Sequence, residues 1–114
     1  MMLPRELRLR RAEDYERLRR EGKTFAGRMM VLSVAPNQAG YNRYGFVISR
    51  RFGKAVQRNR ARRLMREGVR LLHPRLVSGY DLALIARSGM QSQSLSSVVP
   101  ELERLLRQAG LVES

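Results

Sequence analysis

Apolar and polar positions recur along the chain with two different periods, and the switches between them mark out seven elements. Residues 5–21 are dense in Arg and Glu, with Ala12, Tyr15, Leu18 and Arg19 at i, i+3, i+6 and i+7. That spacing predicts a short amphipathic helix, which Gly22 stops. From Lys23 the period becomes two. Residues 24–26 read as a short strand and residues 29–36 as a longer one, ended by the turn-forming run Pro36, Asn37, Gln38, Ala39 and Gly40. Residues 43–50 resume as a strand, with Tyr44, Phe46 and Ile48 on one face and Gly45, Val47 and Ser49 on the other.

Past a turn at Gly53, residues Ala61, Leu64, Met65, Gly68, Val69 and Leu72 recur at i, i+3, i+4, i+7, i+8 and i+11. This is the clearest helical stripe in the chain. Its opposite face carries Asn59, Arg63, Arg66 and Arg70, flanked by Arg60 and Arg62, and His73 and Pro74 end it. Residues 80–87 are nearly continuously apolar, as expected of a central strand buried on both faces. After a serine-rich stretch able to cap a helix, Leu95, Val98 or Val99, Leu102, Leu105 or Leu106, and Ala109 form a last amphipathic helix, with Pro100 expected in its first turn. The order is α-β-β-β-α-β-α, a single domain over residues 1–114.

Charge changes the picture from fold to partner. The 114 residues hold 23 Lys and Arg against 10 Asp and Glu, a formal net charge of +13. A chain so basic points to a polyanion, either nucleic acid or an anionic membrane. Of the basic residues all but Lys23 and Lys54 are Arg, whose planar fork grips phosphate and stacks on bases. A compositional bias of the genome would leave the same trace. There is no cysteine, which removes disulfides, thiolate metal sites and a thiol nucleophile. The longest apolar run, residues 82–86, is far short of the roughly 20 residues of a membrane span. Met1, Met2 and Leu3 lead directly to Pro4, Arg5 and Glu6 without the apolar core of a signal peptide, so a cytoplasmic location is expected.

The inventory for catalysis is thin. The single His73 sits at a helix end before Pro74, a position suited to capping. Most carboxylates lie beside Arg at helical spacing in the two terminal helices, and Glu67 and Asp81 stand apart, so neither a catalytic residue nor a metal site is expected. No Gly-rich phosphate loop is present. Binding is better supported. Residues 50–66 hold eight cations, Arg50, Arg51, Lys54, Arg58, Arg60, Arg62, Arg63 and Arg66, and no acid. An ordinary solvated face would intersperse Glu, and a membrane-surface helix would need its apolar stripe free, although the strands require that stripe as cover. RNA or DNA phosphate remains. Tyr15, Phe25, Tyr44 and Phe46 offer either a base-stacking surface beside this helix or simply core.

The stretch Gly45-Phe46-Val47-Ile48-Ser49-Arg50-Arg51-Phe52-Gly53, followed by Lys54-Ala55-Val56-Gln57-Arg58-Asn59-Arg60-Ala61-Arg62-Arg63, closely resembles the signature of the bacterial ribonuclease P protein subunit family. The resemblance extends to the Leu-Arg-Arg-x-x-Asp-Tyr opening at residues 9–15, to Gly22-Lys23 and to Tyr80-Asp81. It implies an α+β two-layer sandwich of the ribosomal protein S5 domain 2 type, with a four-stranded sheet packed by helices and a left-handed βαβ crossover. It also implies a non-catalytic subunit that binds the RNase P RNA and the 5′ leader of precursor tRNA, with Mg²⁺ held mainly by RNA, and no dedicated protein partner or membrane. Carried over residue by residue, Arg50, Arg51, Lys54, Arg58, Asn59, Arg60, Arg62, Arg63 and Arg66 become RNA contacts. Tyr15, Arg19, Ser33 and Phe46 become lining of a leader cleft, Arg19 and Ser33 standing where the family commonly has aromatics. The alternative is a general RNA-binding or ribosomal protein without a role in processing.

Overall fold

The computed structural model describes residues 4–112. Its elements follow the predicted order: α1 (Ala12–Glu21), β1 (Lys23–Ala26), β2 (Met30–Pro36), β3 (Arg43–Val47), α2 (Ala55–Leu72), β4 (Tyr80–Ala86) and α3 (Leu95–Gln108). The strands form one sheet in the order β1-β2-β4-β3, in which β3 and β4 run parallel and the other neighbours antiparallel. β4 is central as its apolar run predicts, and α2 is the crossover that joins the parallel pair.

Strand periodicity divides the interior. Met30, Leu32 and Val34 of β2, Tyr44 of β3, and Leu82 and Leu84 of β4 point to one face, where they pack with Ala61, Met65, Val69 and Leu72 of α2 and Val98, Leu102, Leu105 and Leu106 of α3. Ala35 and Ala83 point the other way and meet Leu9 and Leu18 in a much smaller cluster. The sheet and the α2–α3 pair are therefore the two layers. α1 lies on the opposite face, where it buries only Leu18 of its own residues, so much of that face stays open.

What anchors α1 is polar. Asp81, fully buried, accepts Arg43 Nε and Nη2 at 2.8 and 2.9 Å, Asn37 Nδ2 at 2.9 Å, and the Arg17 guanidinium. Arg17 also donates to the Pro36 carbonyl at 2.6 Å. An acid that stands alone in the sequence is thus the point at which α1, β3 and β4 are tied.

Two boundaries differ from the sequence reading. β3 ends at Val47, and the basic residues beyond it form a 3₁₀ turn, Arg50–Phe52, which drives Phe52 into the core. Because α3 begins at Leu95, Pro100 falls in its second turn and not its first. The Ser96 carbonyl that loses its helical donor there is on an exposed residue, open to hydration.

His73 follows the last residue of α2, and the Tyr44 hydroxyl lies 2.6 Å from its Nδ1 with the two rings edge to face at 5.6 Å. Burial of Tyr44 pushes its phenol up to about 12. The unfolded phenol ionises near pH 10 and the folded one two units higher, so stability from this group is complete below about pH 10 and lost between about pH 10 and 12. The expected loss is about 2–3 kcal/mol at about 1.4 kcal/mol per unit. Urea unfolding across that range checks it: Tyr44→Phe should show a shallower alkaline decline than the parent chain, and parallel declines would disprove the assignment.

Candidate nucleic-acid interface

The N-terminus of α2 is built to present cations. Lys54 N–H donates to Gln57 Oε1 at 2.8 Å, which satisfies one of the donors left open at a helix start. Arg58 reaches back to the Gly53 carbonyl at 2.6 Å, Arg60 donates to the Gln93 carbonyl, and Arg62 to Asn59 Oδ1 at 3.0 Å. These acceptors orient the guanidinium groups without neutralising them. Among the described residues none of the eight cations of residues 50–66 forms an ion pair, whereas Arg11, just before α1, meets Glu13 at 3.7 Å and Arg107 of α3 meets Glu103 at 2.9 Å. Arg50, Arg51, Lys54, Asn59, Arg60 and Arg63 are exposed, while Arg58, Arg62 and Arg66 are partly so. Burial, then the like charges of Arg8 and Arg62, hold the Arg66 guanidinium below its ordinary pKa. One turn further on, Arg70 is neutralised by Glu67 at 3.0 Å, so Glu67 is not isolated and the acid-free face ends at Arg66.

On the α1 side of the sheet, Tyr15, Arg19 and Ser33 come together in an open groove of about 260 Å³, joined by Leu18, Thr24, Val47, Ala83 and Ile85. Gly45 makes this possible. A Cβ at that position would lie 2.1 Å from the Tyr15 oxygen, so only glycine lets the ring lie on β3. Tyr15 also donates to the Leu9 carbonyl at 3.3 Å, and burial followed by the Asp14 charge raises its pKa. Arg19 is exposed and paired with Glu16.

Phe46 is not in this groove. Alternation along β3 sends it with Tyr44 to the helix-covered face, where it packs against the main core, and Val47 takes the groove position. Period-two alternation puts Phe46 and Val47 on opposite faces without specifying which face remains uncovered. Leu18, Thr24, Val47 at 37% exposure, Ala83 and Ile85 line the groove beyond the residues the sequence predicts, and the partner face of that alternation is the signal for Val47.

An α+β sandwich whose α2 opens with an acid-free run of cations, and whose opposite sheet face keeps an open groove, is a polyanion-binding protein in class. Residues 3–110 match the Ribonuclease P family. The chain belongs to that protein family. It is 48% identical over 109 residues to the Ribonuclease P protein component of Chloroflexus aurantiacus (95% of this chain, 81% of the relative), and 42% identical over 112 residues to that of Roseiflexus castenholzii (97% and 92%). The solved RNase P protein from Thermotoga maritima superposes with a TM-score of 0.81 at 30% identity, covering 94% of this chain and 98% of that one.

Proposed function

We propose that this chain is the non-catalytic protein subunit of a ribonuclease P ribonucleoprotein: its α2 face binds the RNase P RNA, and its sheet groove receives the 5′ leader of precursor tRNA. The observation that carries the reading is the run of eight cations that have no carboxylate partner among the described residues, five of them on the helix that bears the family's Arg-Asn-Arg signature and three in the turn leading into it. Such a face screens phosphate repulsion between catalytic RNA and substrate, which lowers the Mg²⁺ the RNA needs. The two buried acids are engaged elsewhere, Asp81 by Arg17 and Arg43 and Glu101 by backbone N–H groups, which suits a Mg²⁺ carried by RNA. Among the described residues no helix is long and apolar enough to cross a membrane. The reading assigns the chain to the cytoplasm, with RNA as its partner.

Reconstitution tests it. Adding the protein to its RNA should accelerate precursor cleavage at low Mg²⁺, and an unchanged rate would refute the proposal. Within the complex, Tyr15→Ala should weaken precursor binding more than mature tRNA binding, by about 1–3 kcal/mol if a leader base stacks on the ring. Gly45→Ala should produce part of the same loss by displacing that ring. Equal losses for precursor and mature tRNA would remove Tyr15 from leader recognition.

A further inference from the structure

A second basic depression lies at the outer edge of the sheet, lined by residues of neither the α2 face nor the α1 groove. Residues 5–9 run beside β3, where Leu9 N–H donates to the Tyr44 carbonyl at 2.7 Å and Arg8 forms a parallel bridge to Tyr44. This closes an edge strand that would otherwise be open, and it gathers the arginines of the N-terminal segment. An open groove of about 420 Å³ forms between this segment, the start of α1 and the start of β3, lined by Arg5, Arg8, Arg10, Arg11 and Arg43.

Its charge is not cancelled locally. Asp14 is engaged by Arg43 at 3.5 Å, and Arg43 is in turn held by Asp81, so that group is internally balanced. Arg11 meets Glu13 at 3.7 Å, but both side chains are over three-quarters exposed, and such pairs hold little energy. Arg5 and Arg10 are exposed and make no ion pair among the described residues. Against them the groove sets only Glu6. Tyr41, 40% exposed, adds a flat ring with a hydroxyl to the wall. A lipid surface would need an apolar rim, whereas this one is built from guanidinium groups.

Position selects the occupant. Arg8 is bridged to Tyr44 of β3, and Tyr44 packs in the same core as Ala61, Met65 and Val69 of α2, so the groove and α2 adjoin at the β3 edge, where the charge of Arg8 also acts on the Arg66 guanidinium. We propose that the groove formed by residues 5–11 and the starts of α1 and β3 is a second phosphodiester-binding site, seating the backbone of the same structured RNA that α2 contacts. The inference rests on the RNA-binding reading above and extends that interface to a segment outside the Arg-Asn-Arg helix.

The test compares two double variants of the full chain, Arg5→Ala with Arg10→Ala and Arg58→Ala with Arg60→Ala, each titrated against RNase P RNA and against precursor tRNA over a range of salt. All four arginines are surface residues, and circular dichroism confirms that each variant folds. The Arg5/Arg10 variant should bind RNase P RNA about tenfold more weakly and lower the salt slope by about 1 to 2, as loss of one or two phosphate contacts requires. Parent-like affinity and slope in that variant, with both reduced in the Arg58/Arg60 variant, would overturn the groove and leave the RNA reading intact. A loss confined to precursor tRNA would overturn the assignment to the RNA on α2. If neither variant binds RNA more weakly, the RNA reading fails and the groove with it.

Discussion

Raising monovalent salt from about 50 to about 200 mM is expected to weaken binding to RNase P RNA by about 10³- to 10⁵-fold, the response of an interface that contacts about six to ten phosphates. The number of contacts comes from the structure of the charge and not from its total. Net charge alone, +13, would be compatible with cations spread evenly and mostly paired. Instead arginines in and next to the terminal helices meet Glu16, Glu103 and Glu13, while among the described residues the eight cations of residues 50–66 have no carboxylate partner. Each of these that meets a phosphate releases a condensed counterion, and the slope of affinity against salt counts such releases.

The same geometry says what substitution does. Arg58 and Arg60 are held by the Gly53 and Gln93 carbonyls, surface hydrogen bonds of about 1 kcal/mol or less each, so truncation leaves the fold nearly as stable. Removing Arg58, Arg60 and Arg63 together should lower the slope by about 2 to 3 and reduce low-salt affinity by at least two orders of magnitude, about 3 kcal/mol. Filter binding or fluorescence anisotropy at a series of salt concentrations measures both. A flat salt response of the parent chain would mean that the α2 face is not the contact surface.

What the sequence disclosed and what it concealed divide along a physical line. α2 and β4 were legible because their signals are local: a 3.6-residue stripe of buried Ala61, Met65, Val69 and Leu72 in one, and an unbroken apolar run in the other. The cation face was legible for the same reason, since a run without acids is visible in one dimension. Layer assignment was not. Alternation in β3 separates Phe46 from Val47 correctly, yet which face α1 leaves uncovered depends on the Asp81 tie between elements far apart in the chain, with Arg17 and Asp81 separated by 64 residues. Phe46 was accordingly misplaced in the groove and Val47 overlooked.

Acids were concealed most. A Glu with Arg at i+3 reads as a surface pair, and Glu101 with Arg104 has that spacing; in the fold Arg104 is a distant partner at 3.9 Å, and the carboxylate turns inward. Asp81, without neighbours in sequence, collects two arginines and an asparagine. Nothing within one helical turn of either acid announces these partners.

Glu101→Ala is expected to lower the unfolding free energy by about 3–5 kcal/mol, from about 1–3 kcal/mol for the buried Met30 donor left unsatisfied and about 1 kcal/mol for each of the two hydrogen bonds lost nearer the surface. From the interior of α3 its carboxylate crosses to the turn between β1 and β2, where Oε1 accepts Arg28 N–H at 3.0 Å and Oε2 accepts Met29 and Met30 N–H at 2.8 and 3.1 Å. Gly27 leaves room for it, since a Cβ there would stand 2.6 Å from the carboxylate carbon. Met30 is fully buried, so water does not readily replace the lost acceptor at its N–H. Glu101→Gln, which keeps one acceptor oxygen but turns an NH₂ toward backbone donors, should lose about half as much. Urea unfolding reads both: with m near 2 kcal/mol/M, the alanine variant's midpoint should fall by about 2 M at unchanged m. A fall below about 0.5 M would mean that the turn finds other acceptors, and the clamp would be dismissed. Because this hairpin brings Thr24 and Ser33 to the groove, the clamp also couples stability to recognition. At a temperature where Glu101→Ala is still folded, precursor tRNA should lose affinity while RNase P RNA, on the α2 reading, should not.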